Sequence, residues 1–218
     1  METKEIEIMK SVYSKNEEVA RKVNDDMTAR GVFVINVMGA PGVGKTSALI
    51  RLIPKLRRPS AVIEGDIESD IDTKKLSSLG IQTTQINTGG ACHLDSPLIE
   101  AAARKLKLNT GFLFIENIGN LVCPAEFLIG EHIKLLISSV TEGSDKPYKY
   151  PLAFEKADII LINKYDLLEH VDFDGDYFET GVRKLNLKAP IFKVSAKEDG
   201  GFNEVAEWIT AAAKNIVK

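Results

Sequence analysis

The chain has 218 residues, of which 44% are hydrophobic and 27% charged, an ordinary composition for a globular protein with enough apolar residues for a core. Its formal net charge is −3, so the chain lacks the strong positive field of a typical nucleic-acid-binding domain. No run approaches the roughly 18 consecutive apolar residues of a membrane span, and the charged N-terminus METKEIEIMK is unlike a secretory signal. We therefore expect a soluble, cytoplasmic protein that binds neither nucleic acid nor membranes.

Helical and strand patterns alternate along the chain, which predicts an α/β, Rossmann-like domain: a mostly parallel sheet with helices on both faces. Apolar residues at helical spacing predict an N-terminal helix over residues 1–30, ended by Gly31. Strands are predicted at 32–38, 60–65, 81–87, 112–117, 133–140, 158–163 and 190–194. Helices are predicted near 45–56, 72–79, 95–107, 151–157, 175–186 and 201–216, with exposed connections at 141–150 and 169–179.

A phosphate-binding motif follows the first predicted strand. The segment GAPGVGKT, residues 39–46, matches GxxxxGK[ST] and is followed by an amphipathic helix, which is the context that the motif requires. We expect Lys45 to reach the β- and γ-phosphates and the hydroxyl group of Thr46 to bind Mg²⁺. The residues predicted to contact the phosphates are Gly39, Gly42, Val43, Gly44, Lys45, Thr46 and Ser47. The domain is therefore predicted to be a P-loop NTPase.

Two later segments predict that the base is guanine. The sequence NKYD, with Asn163, Lys164 and Asp166, follows a predicted strand, and Ser195, Ala196 and Lys197 follow the next one. An aspartate can accept hydrogen bonds from N1–H and the 2-amino group of guanine, whereas adenine would leave that carboxylate without partners. NKYD alone is also a common turn composition, but its order after a P-loop and before SAK predicts GTP.

Acidic residues end two of the predicted strands. Asp66 and Glu116 are expected at the carboxyl edge of the sheet, where ligands of such folds bind. A carboxylate there can hold Mg²⁺ or orient the attacking water, so Lys45, Asp66 and Glu116 are the predicted catalytic residues, with Thr46, Asp66 and Glu116 around Mg²⁺. Asp70 and Asp72 are instead assigned to the N-terminal end of the next helix.

The two cysteines of the chain, with one histidine, are candidate metal ligands. Cys92 and His93 follow a turn-rich connection, and Cys123 lies shortly after Glu116. Thiolate and imidazole suit Zn²⁺ or Ni²⁺, although two cysteines can also be small buried hydrophobic residues. Three ligands per chain predict a site completed at a two-fold dimer interface. His132 and His170 are expected to be structural.

Taken in order, GAPGVGKT, NTGGACHLD, ENIGNLVCP and NKYD resemble the HypB family of GTPases, from about residue 30 onward. The resemblance implies nickel insertion into nickel–iron hydrogenase, a nucleotide- or metal-dependent homodimer, and two partners: the hydrogenase large subunit and an accessory nickel-delivery protein. It also implies that Cys92, His93 and Cys123 bind Ni²⁺ or Zn²⁺. The expected organisation is an N-terminal helix, 1–30, and a GTPase domain with an embedded metal site, 31–218.

The chain departs from some members of the family in two respects. It has no N-terminal cysteine cluster or histidine-rich stretch, since its histidines number three, so nickel storage is not implied. Its phosphate loop also lacks the early extra lysine of some dimeric relatives. Two alternatives stay open: a metallochaperone GTPase of the urease or cobalamin type, and a metal-binding module with a slow GTPase timer.

Overall fold

The computed structural model describes residues 2–66 and 71–217, with backbone alone for residues 2–13. Within these residues the strands form one seven-stranded parallel sheet of order β3-β2-β4-β1-β5-β6-β7. The strands are β1 Val32–Met38, β2 Ser60–Asp66, β3 Gln82–Asn87, β4 Gly111–Glu116, β5 Ile133–Ser139, β6 Ile159–Asn163 and β7 Ile191–Lys193. The predicted α/β fold and every predicted strand are confirmed, with small shifts at the ends.

Helices connect the strands. They are α1 Glu2–Ala29, α2 Lys45–Leu52, α3 Ile71–Ser78, α4 Ser96–Ala103, α5 Cys123–Glu126, α6 Lys146–Lys149, α7 Pro151–Lys156, α8 Gly175–Leu185 and α9 Phe202–Lys214. Short 3₁₀ helices occupy Ile53–Leu56, Val140–Glu142 and Tyr165–His170. In the part of the chain that the structure describes, no helix is both long and apolar enough to cross a membrane.

The central strands are buried on both faces, which explains their continuous apolar runs. Alternate residues of β1 enter different cores. Phe33 and Ile35 pack in the core that contains residues of α2 and α9, whereas Val32 and Val34 pack in the core that contains residues of α1 and α4. A third core, around Phe154, lies under α7 and α8. Helices therefore cover both faces of the sheet, as the alternating pattern predicted.

The N-terminal helix lies against the sheet. Val23 and Met27 of α1 are buried in the same core as β1 and α4, and Nδ2 of Asn24 donates to the main-chain oxygens of Gly130 (3.2 Å) and Glu131 (3.1 Å). The apolar spacing that predicted this helix also involved Ile6, Met9, Val12 and Tyr13, whose side chains lie outside the described residues.

One of the two predicted connections, 141–150, contains more structure than the sequence analysis expected, whereas the helix found in the other was predicted from residue 175. The segment 141–150 holds the end of a 3₁₀ helix and all of α6, and the segment 169–179 includes the first turns of α8. Pro147 in the first turn of α6 suits a helix start, and Asp174 caps α8 by accepting from the N–H of Tyr177 at 2.9 Å. A four-residue helix is too short to show apolar periodicity, so α6 was missed, whereas residues 169–177 are mostly exposed as predicted.

Candidate nucleotide and metal site

The phosphate loop, residues 39–46, joins the carboxyl end of β1 to the N-terminus of α2. Gly42 and Gly44 have left-handed backbone conformations, with φ of 77° and 88°, which a side chain would strain. A Cβ atom on Gly44 would lie 2.7 Å from Nδ2 of Asn163, and one on Gly39 would lie 2.5 Å from the main-chain oxygen of Ile137. Turn geometry and close packing therefore both require glycine, and the result is the backbone cradle expected of the motif.

Lys45 lies against the loop that precedes it. Its Nζ donates hydrogen bonds to the main-chain oxygens of Gly39 (3.2 Å) and Ala40 (3.4 Å). Burial lowers the pKa of the Lys45 ammonium group, and nearby carboxylates, that of Glu116 first among them, oppose the shift. The ammonium group is thus held between the loop and the acidic strand ends, where a P-loop lysine can meet the β- and γ-phosphates.

The carboxylates of Glu116 and Asp72 meet the hydroxyl group of Thr46. Oγ1 of Thr46 lies 2.8 Å from Oε1 of Glu116, at the end of β4, and 3.0 Å from Oδ2 of Asp72, in the first turn of α3. Glu116 is 5% exposed, and burial raises the pKa of its carboxyl group to about 7. Its Oε2 is buried and has no hydrogen-bond partner among the described residues.

Two further acids lie on β2, beside Glu116. Glu64 is paired with Glu116 in the register of the neighbouring strands, and burial raises the pKa of its carboxyl group. Oε2 of Glu64 accepts a hydrogen bond of 2.6 Å from Oγ1 of Thr73. Asp66 ends β2 with a partly exposed side chain and adds to the raised pKa of Glu64. The carboxyl edge of the sheet therefore carries a cluster of acids close to the phosphate loop.

This acidic cluster fits a magnesium ion. Carboxylate and hydroxyl oxygens are the hard donors that Mg²⁺ prefers, and the unpartnered Oε2 of Glu116 is a donor that a cation could use. The structure brings Thr46 and Glu116 together, as predicted for these residues, and places Asp66 at the end of β2, the strand that pairs with β4. Asp72 lies in the first turn of α3 as predicted, but its contact with Thr46 was not foreseen. Asp70 lies outside the described residues.

Asn163 connects the phosphate loop to the SAK segment. Its Nδ2 donates to the main-chain oxygen of Val43 at 2.8 Å, and its Oδ1 accepts from the N–H of Ala196 at 3.2 Å. The side chain of Asn163 is buried, so both ends of the amide are used by main-chain groups. Asp166 accepts a hydrogen bond of 2.6 Å from Oγ of Ser195, and its other oxygen lies 4.0 Å from Nζ of Lys197. NKYD, SAK and the phosphate loop thus form one connected unit.

A cavity of about 340 Å³ opens between these three segments. Its walls carry most of the residues that the sequence predicted for the base, together with Leu167. They are Gly44, Ser47, Asn163, Lys164, Asp166, Leu167, Ala196 and Lys197. The predicted guanine residues therefore lie around one cavity that is continuous with the N-terminus of α2.

Cys92, His93 and Cys123 form the predicted metal cluster. One ligand atom from each lies within 4.8 Å of the others; the two Sγ atoms are 3.2 Å apart, and Sγ of Cys92 is 3.5 Å from Nδ1 of His93. Cys92 is exposed and Cys123 half-buried, so these cysteines are not core residues. The pairing arises because β3, which precedes Cys92, and β4, which precedes Cys123, end at the same edge of the sheet.

The surroundings of Cys123 and His93 favour the neutral forms of these two side chains. The hydrogen bond between the two thiols, aided by burial, raises the pKa of Cys123. Burial lowers the pKa of His93, whose ring stacks on Phe127 with centroids 4.1 Å apart and planes 7° apart. A neutral imidazole is ready to bind metal, and metal binding would displace the thiol protons. Sulfur and imidazole nitrogen are donors suited to nickel and zinc.

Comparison with known proteins agrees with these motifs. The family described as CobW/HypB/UreG, nucleotide-binding domain, matches residues 33–193. The HypB hydrogenase maturation factor of Azotobacter vinelandii is 45% identical over 207 residues, which span 94% of this chain and 68% of that protein. The hydrogenase/urease maturation factor HypB of Helicobacter pylori is 37% identical over 94% of this chain and 87% of that protein.

A solved structure gives the same result. The structure of HypB from Helicobacter pylori in complex with nickel has a TM-score of 0.89 and 34% sequence identity, covering 94% of this chain and 98% of that chain. This chain belongs to the HypB family. The resemblance seen in the sequence is therefore confirmed.

The HypB motifs alone did not reveal the residues that support the metal cluster. Nδ2 of Asn120 donates to the main-chain oxygen of Cys92 at 3.1 Å, and Oδ1 of Asn120 accepts from the N–H of Val122 at 2.9 Å. Phe127 provides the surface on which His93 stacks. Asn120 belongs to the ENIGNLVCP segment that carried the family resemblance. Its supporting role could not be seen in that segment alone, because one of its partners, Cys92, lies in a second loop.

A buried ion pair holds the loop after Cys123. Nζ of Lys134 donates to Oε1 of Glu131 (2.6 Å) and to the main-chain oxygens of Pro124 (3.2 Å) and Phe127 (2.9 Å). The side chains of Lys134 and Glu131 are 8% and 3% exposed. Three partners match the three N–H groups of the ammonium group, so the lysine is fully used in fixing α5. The apolar appearance of β5 gave no sign of this role.

Proposed function

We propose that this chain is a GTP-hydrolysing nickel metallochaperone that assists nickel insertion into a nickel–iron hydrogenase. The observation that carries the proposal is the cluster of Cys92, His93 and Cys123, which lies beside a phosphate loop in a member of the HypB family. Its thiol and imidazole donors suit nickel as cargo, and the same donors would accept zinc. The name of the Azotobacter vinelandii relative supports hydrogenase as the recipient.

The nucleotide half of the proposal rests on the residues around the phosphate loop. Lys45 would neutralise charge on the β- and γ-phosphates, and Asp166 would accept hydrogen bonds from guanine. Mg²⁺, held by Thr46 with Glu116, Asp72 or Asp66, would supply further charge stabilisation at the phosphates. Glu116, which lies at the end of β4 and contacts the hydroxyl group of Thr46, is our first candidate for orienting the water, and Asp66 is the second. The products are GDP and phosphate.

The metal half of the proposal requires a second copy of the chain. Three ligands leave a tetrahedral metal one donor short, and a two-fold axis near Cys92 would bring the same ligands from the partner. Exposed apolar side chains at Val122 and Leu128, which flank Cys123, are consistent with a surface that is covered in a dimer. In the working cycle, a GTP-bound dimer in the cytoplasm receives nickel from an accessory protein and holds it. Hydrolysis of GTP then releases the nickel.

A urease is the second candidate recipient. It is supported by the Helicobacter pylori relative, which is a hydrogenase/urease maturation factor. Immobilising the chain and measuring binding of a hydrogenase large subunit and of a urease apoprotein in parallel would separate the two. Binding of the urease alone would overturn the hydrogenase assignment.

Metal binding is the first experiment. Equilibrium dialysis with Ni²⁺ and with Zn²⁺ should show strong losses for Cys92→Ala, Cys123→Ala and His93→Ala, with GTP affinity unchanged. His170→Ala, which changes an exposed histidine far along the chain, is the matched control and should bind metal as the parent does. Parent-level metal binding by both cysteine variants would defeat the nickel proposal and leave the GTPase proposal standing.

Hydrolysis and assembly are tested separately. Lys45→Ala should reduce GTP hydrolysis by about 100-fold or more because it removes a charge that stabilises the transition state, whereas Lys188→Ala, an exposed lysine, should not. Light scattering across a concentration series should show the dimer tighten with Mg²⁺ and a non-hydrolysable GTP analogue. A monomer at every concentration, with nucleotide and metal present, would contradict the shared metal site.

A further inference from the structure

The segment after β4 lies directly against the phosphate loop. A Cβ atom on Gly119 would be 2.9 Å from Cγ of Pro41 and 3.0 Å from its nitrogen, so the two backbones are in contact. One residue later, Asn120 and Gly39 form an isolated antiparallel bridge, which pairs their main chains. The same segment then continues to Cys123. The path from the phosphate loop to the metal cluster is therefore only a few residues long.

The side chain of Asn120 reaches both metal-binding loops. Its Nδ2 donates to the main-chain oxygen of Cys92 at 3.1 Å. Its Oδ1 accepts from the N–H of Val122 at 2.9 Å, which fixes the residue before Cys123. An amide suits this position because it donates and accepts at once, which neither a carboxylate nor an alkyl group can do.

The other end of the path is a group that binds nucleotide. Nζ of Lys45 donates to the main-chain oxygen of Gly39 at 3.2 Å, and Gly39 is the residue that pairs with Asn120. A phosphate that draws Lys45 away from Gly39 changes the hydrogen bonding of the residue that anchors Asn120. These contacts connect Lys45 to the loops that carry both cysteines through two residues, Gly39 and Asn120.

We propose that Asn120 is a positioning residue that joins the metal ligands to the phosphate loop, so that the phosphates bound by Lys45 set the relative positions of Cys92 and Cys123. This inference rests on the proposed function, since it assumes that the cysteines bind metal and that the loop binds GTP. The inference assigns the connection to the side chain of Asn120. Because such coupling is reciprocal, nucleotide must change the affinity for metal by the same factor as metal changes the affinity for nucleotide.

The test measures Zn²⁺ affinity by competition with a chromophoric chelator, once with GDP and once with a non-hydrolysable GTP analogue, both with Mg²⁺. Asn120→Ala should lower Zn²⁺ affinity by about 10- to 100-fold, the usual effect of losing a residue that supports metal ligands. The ratio of the Zn²⁺ affinity measured with the GTP analogue to that measured with GDP should also move toward one. Asn120→Asp, which keeps the shape and the acceptor for Val122, should give the same result because it cannot donate to Cys92.

Two controls separate positioning from unfolding. Asn215→Ala makes the same chemical change on the exposed end of α9 and should leave every measurement unchanged. GDP affinity and the midpoint of thermal unfolding should stay near the parent values in both Asn120 variants, since Asn120 is half-exposed and its main-chain bridge to Gly39 remains.

Each outcome has one meaning. Parent-level Zn²⁺ affinity in both Asn120 variants overturns the inference, and so does weakened affinity with an unchanged nucleotide ratio, because the connection to Gly39 would then be absent. If the parent protein binds Zn²⁺ equally tightly with GDP and with the GTP analogue, the proposed connection between the phosphate loop and the metal ligands is also overturned. If Cys92→Ala binds Zn²⁺ as tightly as the parent, the proposed metal site itself fails, a result that the Asn120 variants cannot produce.

Discussion

Nδ2 of Asn163 donates to the main-chain oxygen of Val43 at 2.8 Å, and this bond joins the NKYD segment to the phosphate loop. The other end of the same amide accepts from Ala196, so three separated segments of the chain meet at one buried side chain. Asn163 therefore joins the segments that line the cavity, whereas Asp166, whose carboxylate accepts from Ser195, is the residue that we propose distinguishes bases. The two residues of one motif should respond differently to mutation.

Asn163→Ala should weaken GTP and GDP binding alike and also destabilise the fold. The change leaves the oxygen of Val43 and the N–H of Ala196 buried without their partner, which costs about 1–3 kcal/mol per group. Chemical denaturation and nucleotide titration measure the two effects. Asn203→Ala, on the surface at the start of α9, is the control. An Asn163 variant of parent stability with a changed base preference would show that the side chain acts on the base instead.

Asp166→Asn should change base selectivity with little effect on stability. The amide suits the 2-oxo group of xanthine better than the 2-amino group of guanine, so GTP affinity should fall and XTP affinity rise. Asparagine can still accept from Ser195, which preserves the loop. Competition binding with GTP, XTP and ATP is the measurement. An unchanged order of the three affinities would mean that NKYD serves only as a turn.

The sequence predicted the parts of the site that are set by local pattern. GAPGVGKT predicts both a backbone shape and a chemical role. Cys92 and Cys123 each follow a predicted strand, and the alternation of strands and helices predicts a parallel sheet in which these strands end at the same edge. The NKYD and SAK segments, which were located from strand ends in the same way, line one cavity with the phosphate loop. These predictions needed no knowledge of which loop packs against which.

The supporting contacts could not be predicted because they depend on tertiary packing. Asp72 looked like an ordinary acid at a helix start, and only the packing of α3 brings it to Thr46. Lys134 stands in an apolar strand, where its charge gave no hint that it would hold a loop from Pro124 to Phe127. The four-residue helix α5 is likewise too short for a periodic signal. Residues that act through a distant main chain leave no local pattern.

His132 should make stability depend on pH. Its Nδ1 accepts from the N–H of Val34 and its Nε2 meets the hydroxyl group of Thr28 on α1, both at 2.8 Å, an arrangement that suits a neutral ring. Burial lowers the pKa of His132 below 6.5, and the neighbouring Glu131 only partly opposes this. The unfolded chain therefore binds the proton more readily, so stability should fall as pH drops from about 6.5 toward the lowered pKa and level off below it.

The variant His132→Asn tests this dependence. Asparagine can accept from Val34 without titrating, so its stability should fall less between pH 7 and pH 5 than that of the parent. Urea unfolding at a series of pH values gives the comparison, and His170→Asn, on an exposed histidine, should keep the parent slope. Equal slopes for the parent and His132→Asn would show that other groups control acid sensitivity.

Lys134→Met should weaken both the fold and the metal site. Methionine fills similar space but leaves the Glu131 charge and the oxygens of Pro124 and Phe127 without the ammonium group, and breaking a buried pair in this way costs about 3–5 kcal/mol. Because Phe127 stacks on His93 and α5 begins at Cys123, a loosened loop should also lower Zn²⁺ affinity. Urea unfolding and chelator competition measure the two losses.

The double variant Lys134→Met, Glu131→Gln separates these losses. Replacing Glu131 by a neutral amide removes the unpaired charge, and its amide can still accept from the N–H of Ile129, so much of the stability should return. The oxygens of Pro124 and Phe127 still lack their donor, so Zn²⁺ affinity should stay low. If affinity instead recovers in step with stability, Lys134 supports the fold as a whole and does not specifically position the metal loop.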